Sequence, residues 1–288
     1  MKRALYGAIA LLAGATLIAI LYLYAERLRQ FPVATNPADS VQVIEPGDKS
    51  LLIVLDSEAS YQERLLAIKR LPNPLNQSQV EALRELIRTK GVHATIRNDL
   101  VLVLNRQPEK PLGIAKELIQ MYRDESEDAT WRDYCLQHLE KVYDFSSEKE
   151  LIEATLFEAA AGKANKNNNY PGTAMLSLAR LAQRNSQVAE RLNELARRAV
   201  AACADDPERA VTALQVARAN KDKSVLPDAR RIAADEKALV RLRMSAIGVL
   251  GELGGQEDMA LLKQLAKNAD SRVQNAAKAG LEKRSDER

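Results

Sequence analysis

The feature that most constrains the fold is a spaced triplet of residues that returns at intervals along the chain. Its members stand at relative positions 0, 3 and 7, which lie on one face of an α-helix and therefore predict a buried stripe. Successive copies are 33, 35, 42, 36, 33 and 31 residues apart. The seven copies are Arg64/Ala67/Leu71, Arg97/Leu100/Leu104, Arg132/Cys135/Leu139, Ala174/Ser177/Leu181, Ala210/Ala213/Ala217, Arg243/Ala246/Leu250 and Gln274/Ala277/Leu281.

Each interval between copies holds a second apolar helical pattern, such as VEALRELI at 80–87 and MALLKQLA at 259–266. A repeat of two helices with a period in the thirties is typical of an α-solenoid, in which neighbouring pairs stack to form one continuous core. Small residues in the middle of the triplet allow adjacent helices to approach closely. The sequence therefore predicts an all-α solenoid of about six helical pairs plus a terminal helix.

Capping signals predict where several of these helices start. Asp206-Pro207 places a capping side chain before a proline at the first helical position. Ser78 with Glu81, and Ser147 with Glu150, match the spacing of a capping box.

The stretch LRMSAIGVLGELGGQEDMALLKQLAKNADSRVQNAAKAGLEK at 242–283 resembles the short bacterial HEAT-like repeat, the kind also seen in phycobilin lyases (PBS-lyase type). The pattern departs at Ala174, Ala210 and Gln274, which stand where the repeat has arginine. The resemblance implies a HEAT-like or armadillo-type superhelix that binds something along its concave face. It also implies that the second helix of each pair lines that face.

Residues 4–24 form an uncharged run of 21 with tyrosines near both ends. Such a helix spans about 30 Å, one hydrocarbon core, and aromatic rings favour the membrane interface. We therefore predict a single transmembrane signal anchor in residues 1–30, with its span at 4–24. A cleaved signal peptide is the alternative, but its apolar region is expected to be about 7–15 residues long with a small-x-small cleavage site.

The short basic N-terminus ahead of one apolar helix favours a body outside the cytoplasm. We expect a single-pass protein of a bacterial inner membrane with its C-terminal body in the periplasm. Residues 31–50 contain three prolines and no helical period, which indicates a linker. Residues 51–288 then make up the predicted solenoid.

The net charge of +3 comes from the N-terminal segment, because the chain from residue 31 onward carries 38 basic and 38 acidic residues. Binding of nucleic acid needs a positive field, so no nucleic-acid partner is expected. The sequence identifies no small-molecule substrate, cofactor or metal, and it contains none of the common phosphate-binding or hydrolase motifs.

Three groups of residues are candidates for a site. The recurring Arg64, Arg97, Arg132 and Arg243 could clamp an anion, but nearby acids such as Asp128 favour a structural ladder between units. Cys135 and His138 could form a nucleophile or metal pair, but we expect a buried core cysteine and a surface histidine. The polar insertion Lys163–Gly172 could contact a partner through Asn167, Asn168 and Tyr170, or could be a solvated connector.

These patterns favour a membrane-tethered, non-catalytic scaffold that binds a protein or peptide along its concave face, with no catalytic residues. An enzyme of the HEAT-like lyase or chromophore-handling class is the first alternative. A secreted soluble scaffold, released by signal cleavage, is the second.

Overall fold

The computed structural model describes residues 46–162 and 169–285, which form fourteen α-helices and two 3-10 helices with no strand among them. These residues all lie in the unit Glu45–Arg288. The α-helices are α1 Pro46–Leu55, α2 Tyr61–Ile68, α3 Gln77–Arg88, α4 Ala94–Arg106, α5 Ile114–Arg123, α6 Ala129–Val142, α7 Lys149–Ala161, α8 Tyr170–Ala182, α9 Ser186–Ala201, α10 Pro207–Ala219, α11 Leu226–Ala234, α12 Val240–Leu253, α13 Gln256–Leu265 and α14 Ser271–Ser285.

Consecutive helices pack as pairs, from α1 with α2 to α13 with α14. Each even-numbered helix also packs on the next even-numbered helix, and these helices carry the triplets, so we call them the triplet row. The odd-numbered helices form the companion row. Paired helices stacked in two rows make an α-solenoid, and the predicted all-α solenoid is therefore confirmed for the described residues.

The triplet supplies the continuous core that its spacing predicts. The middle residue of every copy is buried, and one cluster of buried apolar side chains runs from Val54 in α1 to Ala277 in α14. This cluster uses mainly alanine, leucine, valine and isoleucine, with Trp131 as its one fully buried large ring. Each pair therefore shares its core with the pairs on either side.

Small residues let the last two helices of the triplet row approach at backbone distance. A Cβ built on Gly251 of α12 would lie 2.6 Å from the Cα atom of Gly280 in α14. No real side chain tolerates that separation, so glycine is required at Gly251. Gly251 and Gly280 thus allow the close contact because neither places a side chain between the two stacked helices.

The two rows are not packed equally. At every step along the stack, neighbouring triplet helices contact each other more extensively than neighbouring companion helices. The triplet helices therefore lie closer to one another than the companion helices do. The expectation that the second helices line the concave side stays a prediction.

The predicted linker extends too far. Residues 46–50, which fall within the predicted linker at 31–50, form the first half of α1. Proline is favoured at the first position of a helix because its missing N–H has no partner there in any case. Pro46 therefore starts a helix and adds a seventh pair to the six that the triplets predict.

The capping predictions have mixed outcomes. Asp206 caps α10 as expected, since its side chain accepts a hydrogen bond from the backbone N–H of Arg209 at 3.1 Å. At α3 the cap is Asn76, with Gln79 as its capping-box partner, and not Ser78. At α7 the cap position is Glu148, without a side-chain cap, and not Ser147.

Within residues 46–162 and 169–285, no helix has both the length and the hydropathy needed to cross a bilayer. The predicted span at 4–24 lies outside the described residues.

The close approach of α12 and α14 gives a stability test. We expect Gly251→Ala to lower the free energy of unfolding by about 1–3 kcal/mol, because the added methyl group forces the two backbones apart. Gly248→Ala on the same helix is the matched control. Its Cβ would meet only the Nη1 end of the flexible Arg218 side chain.

In the control, the helix preference for alanine of about 0.5–1 kcal/mol should offset the small rearrangement of Arg218. Urea unfolding followed by circular dichroism measures both variants. Equal stability of the two variants would contradict the close packing of α12 on α14.

Candidate functional site

Each of the four arginines that begin a triplet makes the same type of hydrogen bond. In each case the Nε–H donates to a backbone carbonyl ten residues earlier, in the last turn of the preceding companion helix. The acceptors are the carbonyl oxygens of Val54, Ile87, Tyr122 and Ala233, at 3.0, 2.6, 2.7 and 3.2 Å. Carbonyls at a helix C-terminus have no partner within the helix, and a cation there also interacts favourably with the helix dipole. These arginines therefore hold the two rows together.

Arg97 makes the most complete set of contacts. Its side chain is 1% exposed, and its Nη1 and Nη2 atoms bind the two carboxylate oxygens of Glu127 at 2.7 and 2.9 Å. Glu127 belongs to the loop before α6, so this ion pair joins one unit to the next. The guanidinium also lies over the ring of Trp131, with Cζ 4.3 Å from the ring centroid. The structural ladder is therefore the correct interpretation at Arg97.

Asp128 does not serve as the acidic partner that its spacing from Arg132 suggests. Its side chain instead accepts a hydrogen bond from the backbone N–H of Trp131 at 3.0 Å and caps α6. The acid of the ladder is Glu127, one residue earlier, and it pairs with the arginine of the unit before.

Tyr170 is not an exposed anchor for a partner. It is 9% exposed, its hydroxyl donates to the carbonyl oxygen of Ala129 at 3.2 Å, and its ring packs edge-on against Tyr122 at 5.8 Å. The Arg132 guanidinium stands over the same ring at 5.1 Å. The tyrosine is buried because it starts α8 and faces the unit before it. The other two predicted contact residues, Asn167 and Asn168, lie outside the described residues.

Cys135 and His138 are both buried, so the expected core cysteine is found and the expected surface histidine is wrong. Burial raises the pKa of the Cys135 thiol far above its ordinary value and keeps it protonated. His138 binds Asn98 and not the cysteine, with Nε2 3.1 Å from Oδ1. Within residues 46–162 and 169–285, no three potential metal ligands gather in one place.

The tautomer of His138 follows from its neighbour. The Asn98 amide nitrogen donates to Asp99 at 2.9 Å, so its Oδ1 atom faces His138 and the Nε2–H must donate. The Nδ1 atom is buried and has no hydrogen-bond partner among the described residues. Burial, with the nearby Lys141 charge, lowers the pKa of His138 to about 3, and the ring stays neutral.

The surface that the triplet row exposes is the candidate site, and we call it the triplet face. It carries an apolar residue one, two or five positions after the start of the triplet in six successive helices: Leu66, Leu102, Tyr134, Leu176, Val211 and Met244. Leu66, Leu176 and Met244 are 52%, 42% and 37% exposed, and the other three are half-buried. The apolar positions thus continue from α2 to α12.

Contacts between α6 and α8 show that the ends of these two triplet helices are level. At one edge, Arg184 after α8 binds the Glu140 carboxylate of α6 at 3.2 Å. At the other edge, the Thr173 hydroxyl of α8 donates to the Asp133 carboxylate of α6 at 2.6 Å. Between α10 and α12 the face forms a shallow cleft of about 290 Å³ that includes Val211 and Met244.

The companion row presents a different surface. Neighbouring companion helices are joined by ion pairs, including Arg88–Glu117 at 3.0 Å, Arg123–Glu158 at 3.0 Å and Arg230–Asp258 at 2.5 Å. Arg84 also pairs with Glu117. Ion pairs therefore join the companion helices to one another, whereas the triplet face carries apolar side chains at similar positions in successive helices.

Sequence reasoning missed the triplet face, although a signal for it exists. The apolar residue recurs close to the same offset from the triplet start, on the side of the helix away from the buried stripe. Only the buried stripe was used to align the units.

Comparisons with known proteins identify no family. No protein-family model and no curated protein matches the chain. A solved structure, that of human deoxyhypusine hydroxylase in complex with glycerol, is similar to 82% of this chain over 94% of its own length. The identity is 13% and the TM-score 0.37, so this likeness carries no argument about substrate or cofactor.

That similarity nevertheless corrects one prediction. The expectation that the chain is not an enzyme is contradicted, because the similar solved structure is that of a hydroxylase. The expectation is therefore withdrawn.

The buried neutral His138 predicts how stability depends on pH. Its pKa is lower in the folded state than in the unfolded chain, where histidine titrates near pH 6.5. The unfolded state therefore binds more protons as the pH falls below that value, and stability is lost. Between pH 6.5 and 5, this group should remove about 2 kcal/mol from the free energy of unfolding.

Urea unfolding at the two pH values measures this loss. His138→Gln should show a loss smaller by most of that amount. The same pH dependence in the wild type and in His138→Gln would contradict a neutral buried ring.

Proposed function

We propose that this chain is a membrane-tethered scaffold whose triplet face binds a protein or peptide partner. The observation that carries the proposal is the repetition of exposed or half-buried apolar side chains at nearly the same position in six successive helices. Contiguous apolar surface on a soluble domain typically marks an interaction site. A surface built from one position per unit suits an elongated partner that makes many small contacts.

The tether is the uncharged run at 4–24, with basic residues on both sides. Its length matches one hydrocarbon core, and the linker that follows, now ending before Pro46, separates the span from the solenoid. We place the solenoid in the periplasm of a bacterium, on the strength of the short basic N-terminus ahead of the run.

Purification from washed membranes tests the tether and the partner together. Membranes from cells that express the full chain are washed with alkaline carbonate, solubilised in mild detergent and passed over an affinity tag. We expect the chain to stay in the washed membranes with its N-terminus uncleaved. We also expect it to bring down one partner in near-equimolar amount.

The double variant Leu176→Glu/Met244→Glu should lose this partner at an unchanged melting temperature. The matched control is Leu151→Glu/Leu239→Glu, which changes two similarly exposed leucines outside the triplet face and should retain the partner. Release by carbonate would overturn the tether, and a new N-terminus would indicate a secreted protein. Retention of the partner by the triplet-face variant would overturn the binding surface.

A further inference from the structure

The triplet face also carries an ordered row of positive charge. In four successive triplet helices an exposed cation follows the apolar residue by four or seven positions, which places it on the same side of the helix. The pairs are Leu102/Arg106, Tyr134/Lys141, Leu176/Arg180 and Val211/Arg218. We call the four cations the basic edge.

The cations of the basic edge lie at corresponding ends of successive triplet helices. All four lie in the last turn or so of helices that run in the same direction. The contact of Arg184 with Glu140 joins the C-terminal ends of α6 and α8, and that of Arg218 with Glu252 joins α10 and α12. Because packed helices lie about 8–10 Å apart, the edge extends over roughly 30 Å.

The cations of this edge are largely free of acidic partners. Among the described residues, no carboxylate lies within ion-pair distance of Arg106, Lys141 or Arg180, and Arg218 reaches Glu252 only at 3.8 Å. Glu252 is itself held by Lys283 at 2.7 Å. Two further carboxylates near this edge, Glu140 and Asp144, are both engaged by Arg184.

The helix dipole explains why cations occur at helix C-termini. It does not explain why the cations of the basic edge lack acidic partners. Companion helices such as α3 and α5 also end in arginines, Arg88 and Arg123, and there each arginine meets a carboxylate of its own row. The arginines at these companion-helix ends are thus paired, whereas the four cations of the basic edge are largely uncompensated.

We propose that the triplet face binds an acidic amphipathic segment of the partner, an inference that rests on the proposed function. The carboxylates of the segment lie along the basic edge, and its apolar side chains lie on the line from Leu102 to Met244. Complementary charge sets the orientation of the segment, and apolar contact supplies most of its affinity. The apolar line favours a peptide over a nucleic acid, which has no apolar side chains to place there.

A direct binding measurement tests this inference. The full chain in mild detergent is titrated into a fluorescent helical peptide of about 20 residues, long enough to cover about 30 Å, with leucines on one face and glutamates on the other. The comparison probes are the same peptide with lysine for glutamate, polyglutamate, and single-stranded oligothymidine. We expect the acidic amphipathic peptide to bind most tightly, with an affinity that falls as salt is raised.

The variant Arg106→Gln/Lys141→Gln/Arg180→Gln should weaken this binding by about tenfold or more, equivalent to at least about 1.4 kcal/mol. The matched control is Lys116→Gln/Lys237→Gln/Lys263→Gln, which removes three exposed lysines outside the triplet face, also without carboxylate partners. It should change the affinity by less than about twofold, because these charges lie away from the peptide.

Several outcomes would overturn the inference. These are equal binding of the lysine peptide, equal binding of polyglutamate, tighter binding of oligothymidine, or an equal loss of affinity in the control variant. If no peptide binds but partner binding is still lost in Leu176→Glu/Met244→Glu, the inference of an acidic segment is wrong and the proposed scaffold function is retained. If that variant also keeps the partner, both proposals fail.

Discussion

The structure depends on how each triplet helix is joined to the helices around it. A buried arginine such as Arg97 donates to a carbonyl at the end of the preceding helix and binds the acid that precedes the next triplet helix. A charge buried to this extent is tolerable only when all its donors are satisfied. The same residue therefore ties the end of α3, α4 and the loop before α6 together, and the small residues of the triplet let the helices close around it.

This arrangement divides the molecule into two surfaces with different properties. Close packing along the triplet row leaves little room for long side chains between neighbouring helices, so the exposed positions face outward as a line of apolar residues with cations beside them. The companion helices are farther apart, and ion pairs such as Arg123–Glu158 span the distance between them. One constraint, the close approach of the triplet helices, thus produces both the core and the surface that we assign to a partner.

Much of the fold can be predicted from the sequence, because the buried stripe at positions 0, 3 and 7 recurs with a period that is visible in the sequence itself. Helix boundaries are harder to predict. Asn76 and Ser78 are both good capping residues, and Pro46 suits either a linker or a helix start, so only local geometry decides between them. The burial of His138 and Tyr170 was not predictable from spacing alone. Each is buried by a residue about one repeat away, Asn98 for the histidine and Ala129 for the tyrosine.

The candidate site was missed for a related reason. Exposed residues form a weaker sequence pattern than buried ones, because function constrains them and packing does not. The pairing of Leu176 with Arg180, or Leu102 with Arg106, looks like an ordinary helix surface until the stacked helices place the pairs side by side. The stacking of these helices, which only the contacts reveal, brings four separate pairs onto one face.

Hydrogen–deuterium exchange of Arg97→Ala tests most directly whether the units hold one another in place. The account predicts a loss of about 3–5 kcal/mol in unfolding free energy, because Glu127 is left buried without its partner. It also predicts faster exchange at the end of α3, in α4, and in the loop and first turn of α6. Arg106→Ala, on the same helix but exposed, should leave exchange in all three unchanged. Faster exchange confined to α4 would contradict the account.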